Sequence, residues 1–166
     1  NEKTSARDGS AFRESPLADG WKIVISQRIP SSGQRISSLI KNQILTPASL
    51  EPYMEAIKKM EKAEDEFFSD KENSLFNWNM DSIRTEFEKA GFTVNAAAKI
   101  ENEKRRLTES EISKWFDTST SAYADKLVEA MGTLELKRLI TLLQNAAGNM
   151  LFSWQSETAY FTICKK

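Results

Sequence analysis

Two arginines and two glutamines surround one turn. Gln27 and Arg28 precede the segment Ile29-Pro30-Ser31-Ser32-Gly33, and Gln34 and Arg35 follow it. Guanidinium groups beside amides can grip a carboxylate or a phosphate through paired hydrogen bonds. These four residues are therefore the candidate substrate- or partner-binding set. The alternative is that the arginines cap main-chain carbonyls or pair with surface acids. A second basic group, Lys104, Arg105 and Arg106, with Lys99 upstream, can touch nucleic-acid backbone. Glu101 and Glu103 interrupt it, so four bases stand against two acids, and a solvated connection between a strand and a helix is the simpler reading. Trp78, Trp115 and Trp154 can stack on a base or an adenine ring, but each sits beside an apolar pattern and reads first as core. Glu61, Glu64, Asp65 and Glu66 lie close together in one helical stretch, with Glu61 and Asp65 on one face at i and i+4. Lys58 and Lys62 share that face, which favours ion pairs over a metal site.

Other chemistries are excluded or left without support. The chain has no histidine, so it has no Ser–His–Asp or Cys–His nucleophile, no histidine base and no histidine-ligated zinc. Its single cysteine, Cys164, cannot form an intrachain disulfide. That fits a reducing, cytoplasmic setting. Lys plus Arg is 23 against 24 for Asp plus Glu, a balance that creates no global field for nucleic acid or an anionic membrane. No apolar stretch approaches the roughly 20 residues needed to cross a bilayer, so no membrane partner is expected. No catalytic residue, resident cofactor or metal site is assigned. The chain starts with Asn, not Met, and the expectation is a piece of a longer polypeptide.

The elements that must position these residues follow from hydrophobic period and punctuation. Residues 1–19 are polar and aperiodic and read as a tail or loop; residues 20–166 read as one domain. Trp21 to Ser26 reads as a strand buried on both faces. Ile36, Leu39, Ile40 and Ile44 mark a short helix. A longer helix, capped by Ser49, carries the stripe Leu50, Met54, Ile57, Met60 and Phe67, with Glu61, Glu64 and Asp65 on the solvated face. Asn79 caps a helix through Met80, Ile83, Phe87 and Ala90, ended by Gly91. From Phe92 to Ile100 the chain alternates, as a half-buried strand near an edge does. Thr108-Glu109-Ser110-Glu111 has the form of a capping box. It opens a helix burying Ile112, Trp115 and Phe116. Tyr123 to Met131 is another helix, and Thr133 opens the next, with Leu136, Leu139, Ile140 and Leu143 inward. Thr158 to Cys164 is a strand with two apolar faces. About three strands and six or seven helices result. The strands are distant in sequence and must pair non-locally, with helices on both sheet faces.

This order of elements resembles the C-terminal half of a class I S-adenosylmethionine-dependent methyltransferase. In that family a helix of the form L-x-x-x-F-x-x-A-G-F joins the fifth strand to the sixth. Here Ile83-Arg84-Thr85-Glu86-Phe87-Glu88-Lys89-Ala90-Gly91-Phe92 stands in its place. The resemblance covers residues 20–166. It implies a partial Rossmann-like α/β fold whose last strand is antiparallel and central. A narrower resemblance is to the methyltransferase-like extension fused to bacterial replication-associated recombination ATPases of the AAA+ class. It is carried by Ile25 to Pro30 with Gly33 to Arg35, by Leu107 to Glu109 with Trp115 and Phe116, and by Trp154 to Ala159. The family holds its cofactor with a glycine-rich turn after its first strand. None of the six glycines here forms such a motif, so no cofactor is expected in this chain.

The expected function is that of a non-catalytic or incomplete methyltransferase-like module of a larger intracellular protein, active in binding or assembly, with a DNA-repair ATPase as one setting. Expected partners are the rest of the parent polypeptide and a second copy docked through an exposed sheet edge. The alternatives are the substrate-side half of an active methyltransferase and a nucleic-acid-binding accessory domain using Lys104, Arg105 and Arg106.

Overall fold

A computed structural model describes residues 20–165. Their secondary structure is mixed α/β. Strand β1 (Lys22–Arg28) leads through a 3-10 turn (Pro30–Ser32) into α1 (Ile36–Leu39), which runs on as one π turn (Ile40–Ile44). Next come α2 (Pro47–Leu50), a 3-10 turn (Glu51–Tyr53), α3 (Met54–Phe68), α4 (Met80–Lys89) and β2 (Phe92–Arg105). Helices α5 (Glu109–Trp115), α6 (Ala122–Met131) and α7 (Thr133–Ala146) precede the closing strand β3 (Phe152–Lys165).

The sheet order is β1-β3-β2. The last strand is antiparallel to both neighbours, with Val24 opposite Thr162 and Asn95 opposite the same residue. The first two strands are therefore parallel to one another, separated by the last. A central, antiparallel final strand is the expected arrangement. Parallel strands cannot be joined by a hairpin, so residues 29–91 make the helical crossover that such a pair needs.

Length decides how the sheet is covered. Each of β2 and β3 has 14 residues, about 46 Å at ~3.3 Å per residue. The 10 residues of α4 span about 15 Å, too little to cover a face. The cover is accordingly split. On one face Ser156 and Thr158 are buried, Trp154 packs against the main helical core, and Phe152 joins Leu39, Ile57, Met60, Leu107, Ile112, Leu127, Leu139 and Leu143 within it. On the opposite face and at the opposite end, Ala159, Phe161 and Ile163 pack with Ile83, Phe87, Phe92 and Val94 against α4.

Several local readings change. The first strand is not buried on both faces: Val24 is 67% exposed, because the helices on its face of the sheet cover the Phe152 end of β3 and not the stretch around Thr162 opposite Val24. Tyr160 is exposed for the same reason, although its strand is apolar in sequence. Thr46, not Ser49, caps the helical entry at Pro47, with Ser49 closing the capping box as its third residue. Gly132, not Thr133, occupies the N-cap of α7, at φ 80 and ψ 158. That backbone region is essentially confined to glycine. The predicted cap at Asn79 and the predicted capping box at Thr108 are present, and Asn79 also forms a box, with Ser82. The tail expected over residues 1–19 lies outside the described residues.

Candidate functional site

The buried stripe of α3 runs Ile57, Met60, Ala63 and Glu64. Glu64 occupies an apolar position of the helix and is 1% exposed. The reason lies across the core. Helix α1 begins at Ile36 without any side-chain cap from Arg35, and its first amides need acceptors. One carboxylate oxygen of Glu64 accepts from the Ile36 amide at 2.8 Å and from the Tyr123 hydroxyl at 2.7 Å. The Ser37 amide, at 3.4 Å, and the Ser37 hydroxyl also donate to the carboxylate. Burial pushes the Glu64 carboxyl above its ordinary range, although these four donors pull it down. Burial, and then the neighbouring carboxylate, hold the Tyr123 hydroxyl well above its usual value. Glu64 therefore ties α1, α3 and α6 together.

Beside this carboxylate lies a cleft of about 510 Å³, inside the range of small-molecule sites. Glu64, Phe67, Tyr123, Trp115 and Trp154 form much of its wall, and Arg105 and Lys114 bring positive charge. Arg105 projects from the last position of β2 on the face shared with Phe152. Its guanidinium lies 4.5 Å from the Trp154 ring centroid and pairs with Glu111. Glu111 also accepts from the Thr108 amide and hydroxyl, both at 2.9 Å, and these bonds, ahead of Arg105, lower its pKa. Lys114 has no ion-pair partner among the described residues. Trp115 and Trp154 are both half-buried, with centroids 5.8 Å apart and planes tilted by 34°.

The first candidate set does not converge. Gln27 and Arg28 lie at the exposed end of β1 and, being adjacent on a strand, point to opposite faces. Arg35 donates to the carbonyls of Ser31, at 3.0 Å, and Gly33, at 3.4 Å, and stacks 3.9 Å over Phe68. Its observed contacts are thus those of a turn-capping residue. Gln34 accepts from the Gln155 amide at 3.0 Å and lines the cleft. The basic triad also diverges. Lys104 reaches the Ser153 hydroxyl at 2.6 Å, Arg105 turns to Trp154 and Glu111, and Arg106 donates to the Gly148 carbonyl. Only Arg105 enters the cleft.

Among the carboxylates, Glu61 pairs with Lys41 at 2.7 Å and Glu66 with Lys126 at 3.0 Å. No three acidic or thiol groups converge as a metal site among the described residues. Glu64 is not on the solvated face assigned to it. The signal was readable in the sequence: the stripe Met54, Ile57, Met60, Phe67 skips one helical position, and Glu64 fills it.

A second cleft, about 570 Å³, opens between α4 and the sheet. Trp21, Ile23, Trp78, Ile83, Phe87 and Phe92 line it. It exists because α4 lies over β2, leaving the face of β1 that carries Ile23 and Ile25 half-covered. Trp78 is here, away from Trp115 and Trp154, so the three tryptophans serve two different sites. No helix among the described residues is long and apolar enough to cross a membrane. Comparison with protein-family models, curated proteins and solved structures gives no match.

Proposed function

We propose that the chain is a non-catalytic, methyltransferase-like module that acts by binding and assembly within a larger protein, with β1 as its docking side. The observation that carries this reading is that β1 is unpartnered in three directions at once. Its outer edge has no strand neighbour among the described residues. One face exposes Val24, and the other overhangs the apolar cleft between Trp21 and Trp78. A strand left so bare is an aggregation hazard unless something covers it. The existing pattern suggests the cover. Two parallel strands here are joined by a helical crossover, and one further strand and helix from the parent polypeptide, continuing beyond β1, would pair its edge and fill the cleft.

Hydrogen exchange tests the assignment. The alternate amides of β1 that point away from β3 should exchange fast in this chain and slowly in the parent polypeptide. Equal protection in both would refute docking at this edge. Protection that rises with the concentration of this chain alone would instead identify a second copy as the occupant.

The strand order also favours a second reading, the substrate-side half of an active methyltransferase. An antiparallel final strand inserted between two parallel ones is what that resemblance implies. Calorimetry with S-adenosylmethionine separates the readings. Binding by the parent but not by this chain supports the second; binding by neither supports the first.

A further inference from the structure

We propose that the cleft between α3, α5 and the β2–β3 end of the sheet is a nucleotide site, which takes a planar base against its indoles and a phosphate against Lys114 and Arg105. The proposal is independent of docking at β1: that strand lines the α4 cleft through Ile23, and the two clefts share no lining residue.

Three observations combine. The first is size and wall chemistry. About 510 Å³ walled by aromatic rings, with Gln34, Thr120 and Ser121 at the margin, offers stacking surface and a few polar groups, the usual composition of a site for a ring-bearing ligand. The second is charge. The whole chain has a net charge of -1, yet two cations face this one cleft. Arg105 is shared with Glu111 at its edge, whereas Lys114 is exposed and unpaired among the described residues. An ammonium left free beside aromatic rings suits a phosphate placed next to a stacked base. The third is access. Trp115 and Trp154 are both half-buried and line the cleft, so part of each indole is open to it.

Geometry limits the mode of binding. A ring sandwiched between two others needs about 7 Å between them, two contacts of ~3.5 Å. The indole centroids are 5.8 Å apart, so nothing inserts between them. Trp154 is already covered by Arg105 at 4.5 Å. Trp115, which lines the cleft without a cation over its ring among the described residues, is therefore the proposed stacking surface. It ends the helix that carries Lys114 one residue earlier, so base and phosphate contacts come from one short element. Glu64 stays out of the ligand contacts, since its carboxylate is engaged by Ile36, Ser37 and Tyr123. Two cations, one of them already paired with Glu111, match a single phosphate, so a monophosphate is the fit.

The probes are adenosine monophosphate, uridine monophosphate, adenosine, and single-stranded oligo(dA) and oligo(dT), titrated into the whole chain by calorimetry and by heteronuclear NMR. The expected result is millimolar or tighter binding of a mononucleotide, with shifts at Trp115 and Lys114. Adenosine should bind about five- to tenfold more weakly, and Lys114→Glu should remove that advantage, as loss of one charge-assisted contact requires. Trp115→Leu should weaken both ligands. If the oligonucleotides bind and the mononucleotides do not, with the same sensitivity to both substitutions, the source is a single strand. Absence of binding by every probe at millimolar concentration overturns the proposal. So does binding indifferent to Lys114→Glu and Trp115→Leu in variants whose unfolding transitions match the parent chain.

Discussion

Glu64 allows a decisive test of what holds the helical layer together. Replacing it with alanine strands the Ile36 and Ser37 amides inside the core, since Arg35 offers α1 no side-chain cap. The Ser37 and Tyr123 hydroxyls can rotate toward other acceptors; the two amides cannot. An orphaned buried amide costs about 1–3 kcal/mol, so the pair costs about 2–6 kcal/mol. Removing a buried carboxylate recovers part of that, because its desolvation penalty disappears. The expected net loss for Glu64→Ala is about 3 kcal/mol, a large share of the ~5–15 kcal/mol typical of a domain. Glu64→Gln keeps the volume and one carbonyl acceptor for Ile36, and should cost less than about 1 kcal/mol. The two substitutions also differ in pH response. Burial raises the folded-state pKa of Glu64 above its ordinary value of 4.5. The folded state thus holds this proton more tightly than the unfolded state does. The stability this supplies is complete below 4.5 and is lost as pH rises through the folded-state value. Glu64→Gln cannot titrate. Urea unfolding of both chains across the acidic to neutral range should show the unsubstituted chain losing stability relative to Glu64→Gln as pH rises through that window. Glu66, Glu111 and Asp117, whose pKa values are lowered, slope the other way but cancel in the difference. Parallel pH profiles, or a Glu64→Ala cost under about 1 kcal/mol, would refute the account of Glu64 as a buried, ionisable tie.

Further substitutions probe other parts of the fold. Gly132→Ala should lower stability by about 1–3 kcal/mol despite open space around the site, because φ 80 with ψ 158 is strained for any side chain; thermal unfolding reads it. Thr108→Ala should cost about 1 kcal/mol through loss of the α5 cap, and NMR titration should show the Glu111 carboxyl rising only part of the way to its ordinary value, since the Thr108 hydroxyl bond is lost while the Thr108 amide bond, the larger cause of its depression, remains. Val24→Lys should leave folding of this chain unchanged, since the side chain is exposed, while blocking assembly with the parent polypeptide or a second copy in sedimentation experiments. Phe161→Ala should cost about 3–5 kcal/mol as a fully buried aromatic between the sheet and α4.

Period and punctuation alone determined most of the elements and their mixed α/β class. Asn79 and Thr108 cap helices because their short polar side chains reach the third amide whatever the tertiary setting. The apolar stripe of α7 faces inward because 3.6-residue spacing puts Leu136, Leu139 and Leu143 on one side. The distance between strands in sequence required non-local pairing, and the resemblance supplied the order in which the last strand became central. Local sequence could not settle what covers each surface. Val24, Ile23 and Ile25 look alike as residues, but Val24 lies on the face whose helical cover sits at the Phe152 end of β3, while Ile23 and Ile25 lie on the face that α4 covers in part, so the first is open and the others are half-buried. The same limit applies to charge. Glu64 and Glu61 lie within one turn on one helix, yet Glu64 is sealed beneath the amides of α1 while Glu61 meets Lys41 at the surface. Arg35 and Arg105 carry the same group, but the first folds back on its own turn and the second reaches the aromatic cleft. Sequence fixes which chemistry a side chain carries and which side of its own element it leaves from. What that side meets depends on elements dozens of residues away, and only their packing decided that the cleft beside Glu64, rather than the turn from Gln27 to Arg35, gathers rings and cations in one place.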